Sequence, residues 1–264
     1  MHPILFWVDH LFPIATYGVL VALGYFAAIL YLAFHRNQMA ITEDAFWKLI
    51  YLLFLGALGG GKILFLLLHG IGGESFWEFL QDLRYGFVFY GGFLGALGLG
   101  VWFARRRNLD FWSCADYFGP ALALGHAIGR LGCFSAGCCY GKATSLAWGV
   151  RFTDANCLVE PALWGIPLHP TQLYEALGNF AVFLFLHFFF IRQSKIVSRP
   201  GSVFLLYILL YAILRFLVEF VRGDSRGGFL LGLSISQWLA FLAMITVASF
   251  MRTRGFLSHA EKNR

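Results

Sequence analysis

Phe12 to Phe34 reads FPIATYGVLVALGYFAAILYLAF, with no charged side chain along it, and His35 and Arg36 follow directly. About 20 mostly apolar residues in a helix span the hydrocarbon core of a bilayer, so this run predicts a membrane-spanning helix closed by a cation. Further segments of the same kind follow at Phe46 to Leu68, Phe87 to Phe103, Ala115 to Ile128, Leu173 to Ile191, Val203 to Val221 and Ile235 to Phe250. Ala115 to Ile128 counts among these runs, but it is short and Gly-rich, which leaves a broken or re-entrant course open for it.

Composition agrees with a bilayer as solvent. Of 264 residues, 59% are hydrophobic and 13% charged, and mean hydropathy is +0.70, whereas soluble domains carry about a quarter charged residues. So few charges could not cover the core of a soluble protein this size. The expected fold class is all-α, a polytopic membrane protein with about seven transmembrane helices, forming one integral membrane domain over residues 1–264. The start of the chain carries His2, Pro3, Asp9 and His10 rather than a cationic leader. The first segment is therefore expected to be kept as a helix rather than removed as a signal peptide.

Charge placement gives an orientation. Arg36, Lys48, Arg105, Arg106, Arg107, Arg192, Lys195, Arg199, Arg252, Arg254, Lys262 and Arg264 all fall on one face if the segments alternate. Lys and Arg accumulate on the cytoplasmic side, which places the N-terminus outside and the C-terminus in the cytoplasm. The longest external stretch, residues 129–172, is then expected to be a small extracytoplasmic cap. Net charge is +6, but these cations sit in short loops between apolar runs, and a nucleic-acid face needs a solvated basic surface. No nucleic-acid partner is expected. Glycines in GALGGG (Gly56 to Gly61) and GGFLGALGLG (Gly91 to Gly100) read as close helix packing.

The remaining cations, Lys62, Arg84, Arg130, Lys142, Arg151, Arg215, Arg222 and Arg226, sit where orientation does not call for them. An ionisable group within a membrane is costly and marks a functional hypothesis. In LLYAILRFLVEFVRGD, Tyr211, Arg215 and Glu219 follow at intervals of four and share one helix face. They form either a structural ion pair or an arginine aimed at an anionic lipid headgroup, whose oxygens suit the planar guanidinium fork. Gly125 to Lys142 reads GHAIGRLGCFSAGCCYGK, where glycines beside Arg130 permit close backbone approach to a phosphate. Leu168 to Ala176 reads LHPTQLYEA, placing His169, Gln172, Tyr174 and Glu175 at the mouth of a helix opened by Pro170.

The five cysteines are Cys114, Cys133, Cys138, Cys139 and Cys157. Those in and beside the expected cap are open to three readings: buried or disulfide-bonded, metal-binding, or catalytic thiols. No well-known zinc spacing is present.

Taken in order, Tyr17–Gly18, FYGGFLGA near Phe89, GRLGCFSAGCCYGK, HPTQLYEA, YAILRFLVEFVRGD and LSISQ near Leu233 resemble the prolipoprotein diacylglyceryl transferase family over most of the chain. The resemblance implies transfer of diacylglyceryl from phosphatidylglycerol to the lipobox cysteine of a prolipoprotein signal peptide. A thioether forms, glycerol phosphate is released, and no metal or other cofactor is implied. It also implies a bacterial cytoplasmic (inner) membrane location. On the family pattern, Arg130 and Arg215 would neutralise the headgroup phosphate, with Tyr17, Lys62, Gly141, Gln172, Tyr211 and Glu219 binding the lipid. Lys62 stands where the family commonly has an arginine. The catalytic set expected is Arg130, Arg215, Tyr90 and His169.

The departures concern the base. Tyr90 stands where the family usually has a histidine, and Cys133, Ala136 and Cys138 replace two Asn and a Glu of the signature. A phenol of ordinary pKa near 10 is a poor base at neutral pH, so Tyr90 with a neighbouring cation, His126 or His169 would have to serve. Two other functions stay open: a thiol-redox or metal-binding membrane protein using Cys133, Cys138 and Cys139, and a non-catalytic lipid or lipoprotein binder.

Overall fold

The computed structural model describes residues 2–8, 12–69, 88–191, 200–224 and 228–253. Arg84, Arg226, Arg192, Lys195, Arg199, Arg254, Lys262 and Arg264, on which part of the charge argument rests, lie outside these residues. The described chain is mostly helical, with α1 (Thr16–Phe34), α2 (Glu43–His69), α3 (Phe89–Arg106), α4 (Phe111–Ala136), α5 (Thr171–Leu186), α6 (Ser202–Glu219) and α7 (Ile235–Thr253). Four of the described helices, α1, α2, α6 and α7, are long and apolar enough to cross a membrane. Large apolar side chains face outward, such as Phe34, Leu67 and Leu177, while Gln172, Glu175 and Asn179 are fully buried. That inversion of the soluble pattern is what a bilayer solvent favours. The protein is an α-helical membrane protein.

Two expected segments differ from the structure. The apolar run from Phe12 does not begin as helix: β2 (Phe12–Ala15) pairs antiparallel with β1 (Ile4–Val8), and the helix starts at Thr16. Pro13 lies within that strand, paired with Trp7. The segment expected at Ala115 to Ile128 is not broken; it is the middle of α4, continuous from Phe111 to Ala136 through Pro120. Its glycines serve packing rather than interruption. A Cβ on Gly125 would lie 3.1 Å from the carbonyl oxygen of Gly24 on α1.

The chain divides into two compact units, residues 33–114 and residues 1–32 with 115–264. In the first, α2 packs on α3 through Gly56, Gly60, Gly91 and Gly95, and a Cβ on Gly60 or Gly91 would collide with the other's carbonyl oxygen. Such close approach replaces the hydrophobic drive that helix association lacks in lipid. Thr42 Oγ1 accepts a bond from Ala45 N at the start of α2, and Asp110 does the same for Trp112 N at the start of α4. Both satisfy backbone donors that a helix start leaves without partners.

In the second unit, Asp116 is buried and its carboxylate accepts from the backbone N–H groups of Gly201, Val203 and Phe204 at 2.7–3.0 Å. This fixes the start of α6 against α4. Gly137, at φ 75°, ends α4 in the left-handed conformation that a Cβ disfavours. Residues 137–170 then form a small layer of loops, two short strands and one 3-10 turn, Pro161–Leu163, with a core of Tyr140, Phe152, Cys157, Val159 and Leu168. Its strands β3 (Val150–Arg151) and β4 (Pro167–Leu168) pair antiparallel. After α5, a π-helical turn, His187–Ile191, continues the same course, and a last hairpin, β5 (Phe229–Leu230) with β6 (Leu233–Ser234), leads into α7.

Candidate functional site: three arginines around one carboxylate

Glu175 lies one turn into α5 with only 1% of its side chain exposed, and three guanidinium groups converge on it. Arg130 from α4 brings Nη2 to 2.5 Å from Oε2. Arg215 from α6 and Arg222, just past the end of α6, bring Nη1 to 3.1 and 3.2 Å from Oε1. Further carboxylates hold the outer sides. Glu219 Oε2 is 2.8 Å from Arg215 Nη2, one helical turn away. Asp224 takes Arg222 as a fork, accepting from Nε at 2.6 Å and from Nη2 at 3.0 Å.

A second ring of polar groups orients these. Ser236 Oγ accepts from Arg215 Nη2 at 3.2 Å, and Ser234 Oγ donates to Glu219 Oε1 at 2.9 Å. His126 Nε2 accepts from Arg130 Nε at 3.1 Å, which requires the neutral imidazole with its proton on Nδ1. The Tyr211 ring lies 5.1 Å from that imidazole and stacks on Tyr207.

The three cations and three carboxylates balance in formal charge. A network this dry is weak evidence for stability, because desolvation offsets the Coulombic gain. What it secures is position. Each guanidinium has five N–H donors in a fixed fork, so donors beyond these contacts can turn to an anionic oxygen. Burial is the largest single influence on Arg222 and disfavours its cation, but the hydrogen bonds it donates to Asp224 and the charges around it together hold the guanidinium above its ordinary range.

Gly141 lets the 137–170 layer meet this network. Its N–H donates to His169 O at 3.0 Å, while Lys142 N donates to Val221 O and Gly223 N to Tyr140 O. A Cβ on Gly141 would lie 2.5 Å from His169 Cβ and 2.8 Å from Val221 O. The expected lipid-binding Gly141 therefore sits where three backbone segments touch. Gln172, also expected at the lipid, is fully buried and donates to Cys138 O at 2.8 Å. His169 faces Tyr174, with Nδ1 3.3 Å from its hydroxyl, and Trp148 Nε1 donates to the same hydroxyl. Tyr17 is 44% exposed at the start of α1, against the Gly132 position of α4.

Of the expected residues, Arg130, Arg215 and Glu219 are joined in one network, with Tyr211 beside it through His126. Lys62 and Tyr90 belong to the unit of residues 33–114. There Lys62 is buried, with Nζ 5.2 Å from the centre of the Phe65 ring, and Tyr90 is 57% exposed, edge-on to Phe89. The sequence marks Glu175 and Arg222 only weakly as site residues, and Asp224, Ser234 and Ser236 only as members of YAILRFLVEFVRGD and LSISQ, with no role attached. One signal was available: Glu175, like Arg215 and Glu219, is an ionisable residue inside an expected apolar segment, Leu173 to Ile191.

None of the five cysteines, all of them among the described residues, forms a disulfide. Cys133, Cys138 and Cys139 bring their sulfurs within 4.8 Å of one another, the one group among the described residues with spacing fit for a metal ion. Hydrogen bonding with the thiols of Cys133 and Cys139, and then burial, push the Cys138 thiol well above its ordinary value.

Residues 3–253 match the family model described as prolipoprotein diacylglyceryl transferase. The chain is 36% identical over 245 residues to the phosphatidylglycerol–prolipoprotein diacylglyceryl transferase of Clostridium tetani, covering 93% of this chain and 94% of that protein. It is 35% identical over 249 residues to the enzyme of the same name from Geobacter sulfurreducens, covering 90% of each. A second such transferase, from Clostridium perfringens, is 33% identical over 241 residues and 88% of each chain.

Proposed function

The chain belongs to the prolipoprotein diacylglyceryl transferase family, and from that premise we propose that it transfers diacylglyceryl from phosphatidylglycerol to the lipobox cysteine of prolipoproteins. The single observation that carries the site assignment is the convergence of Arg130 and Arg215 on Glu175. In the reaction, the acceptor sulfur bonds to the glyceryl carbon and that carbon's bond to the phosphate oxygen breaks. A phosphodiester monoanion leaves as glycerol phosphate, with additional negative charge. Guanidinium groups already in place stabilise that developing charge most, because they need no reorganisation as it appears. Arg130 and Arg215 hold the phosphate; Glu175, Glu219 and Asp224 keep three like charges from driving one another apart. Arg222 joins this set as a positioning residue.

Tyr17, Tyr211 and Glu219 border the lipid in this reading, and Gln172 and Gly141 act through the backbone they position. His169 and Tyr90 are the assigned groups for the acceptor proton. For Lys62 and Tyr90, the support is the family pattern rather than the geometry of the arginine network. The cation distribution supports seven spans in the bacterial cytoplasmic (inner) membrane, with the N-terminus outside and an external cap within residues 129–172 of a single membrane domain. Continuation of α5 through Ile191 and the unbroken length of α4 lend support to that count.

The test is direct. Purified protein in detergent, given phosphatidylglycerol and a lipobox peptide, should yield a peptide heavier by one diacylglyceryl group. Arg130→Ala and Arg215→Ala should yield none. Normal turnover by either variant would remove the assigned mechanism.

A further inference from the structure

We propose that Cys133, Cys138 and Cys139 form a three-thiolate site for a thiophilic divalent cation such as Zn2+, whose fourth coordination position accepts the incoming substrate thiol. The three sulfurs lie within 4.8 Å of one another, and those of Cys138 and Cys139 are 3.8 Å apart. Tetrahedral Zn–S bonds of about 2.3 Å place two sulfurs about 3.8 Å apart, so the spacing already suits one ion.

The cluster is held from outside. Cys133 lies in the last turn of α4, while Cys138 and Cys139 follow Gly137 at the head of the 137–170 layer. Gln172 Nε2 donates to Cys138 O at 2.8 Å and Thr171 Oγ1 to Cys139 O at 2.6 Å. Cys139 is fixed at φ 63°, a conformation that a residue with a Cβ adopts at a cost. Cys157, the remaining thiol of that layer, is buried in its apolar core and stands outside the group. Three protein ligands with an open position is the pattern of zinc sites that bind a reactant, whereas closed sites carry four.

The occupant of the open position rests on the transferase reading. The acceptor in that reaction is a thiol, and coordination releases its proton to solvent and leaves a thiolate. That thiolate forms the S–C bond as the C–O bond breaks and the phosphate oxygen keeps the electron pair; nothing is oxidised or reduced. Cys133 lies one helical turn from Arg130, so thiolate and phosphate would be held on neighbouring turns of α4. The ion would supply what Tyr90 supplies poorly.

Reduced full-length protein in detergent, stripped of metal, is titrated with Co2+. One Co2+ per chain with a sulfur-to-metal charge-transfer band is expected. The band should vanish in Cys133→Ser/Cys138→Ser/Cys139→Ser, weaken in the milder Cys138→Ser, and persist in Cys157→Ser. No band in the wild type, an equal band in the triple variant, or a native disulfide joining two of the three overturns the site. Adding a lipobox peptide should shift the band, and the same peptide with serine should not. Bound Co2+ that ignores the cysteine peptide overturns the acceptor role. A thiol-dependent shift without any diacylglyceryl adduct, in enzyme reloaded with Zn2+, counts against the transferase reading and leaves the site standing.

Discussion

Arg130 and Arg215, on different helices, divide the two oxygens of a single buried carboxylate: Nη2 of one is 2.5 Å from Glu175 Oε2, and Nη1 of the other is 3.1 Å from Oε1. Two cations so placed would repel each other without that carboxylate. Their spacing is therefore a property of Glu175, and it is the property a phosphate would use.

Removing the hub should be costly. Glu175→Ala leaves three guanidinium groups with one anion fewer in a dry interior, and breaking such a pair costs about 3–5 kcal/mol. Thermal unfolding in detergent should show a large drop in Tm, with transfer lost. Glu175→Gln keeps the volume and one acceptor oxygen, and should fall between. A Glu175→Ala protein as stable as the wild type would show that the network does not organise these helices.

Charge alone should not suffice at Arg215. Lysine keeps the cation but offers a point charge in place of the fork that reaches Glu175, Glu219 and Ser236. Arg215→Lys should lower kcat by roughly 10²-fold, the scale of losing one preorganised donor at a developing charge. A kcat within a factor of two of the wild type would assign Arg215 to simple charge neutralisation.

At Gly141 the prediction concerns backbone rather than chemistry. Gly141→Ala drives a Cβ into His169 and Val221 O, and overpacking of this kind costs about 1–3 kcal/mol. Limited proteolysis should cut within residues 137–170 sooner than in the wild type. Gly98→Ala, with nothing within 4 Å of the new atom, serves as the comparison and should be neutral or slightly stabilising, since alanine is the better helix former.

Asp116→Ala should loosen the start of α6. Its carboxylate accepts from three backbone N–H groups, and losing a cap costs about 0.5–2 kcal/mol. Hydrogen exchange at Val203 and Phe204 should quicken while exchange in α2 stays unchanged.

Much of the helical course was legible because spanning helices need long apolar runs and nothing else in a sequence looks like them. The misreadings came where tertiary contacts decide. Pro13 and the residues after it are apolar enough for helix, but pairing with Ile4–Val8 makes them a strand. The glycines of α4 suggested a break, yet they admit the backbone of α1. Arg215 and Glu219 were legible as charges within an apolar segment, and Arg130 as a cation in the Gly-rich stretch beside one. That Glu175 gathers the arginines was not, since the residues come from separate helices and only folding brings them together. The thiol cluster shows the same limit: CX4CC matches no metal spacing in sequence, and the turn at Gly137 creates the proximity.

The central claim is that Arg130 and Arg215 act on one phosphate as a unit. A double-mutant cycle on kcat/KM with Arg130→Lys, Arg215→Lys and the pair tests it most directly. Groups sharing a carboxylate and a ligand should be strongly non-additive, with a coupling of about 1 kcal/mol or more and a double variant little worse than the poorer single one. Single effects that multiply, within the roughly 0.5 kcal/mol expected of independent sites, would contradict the account.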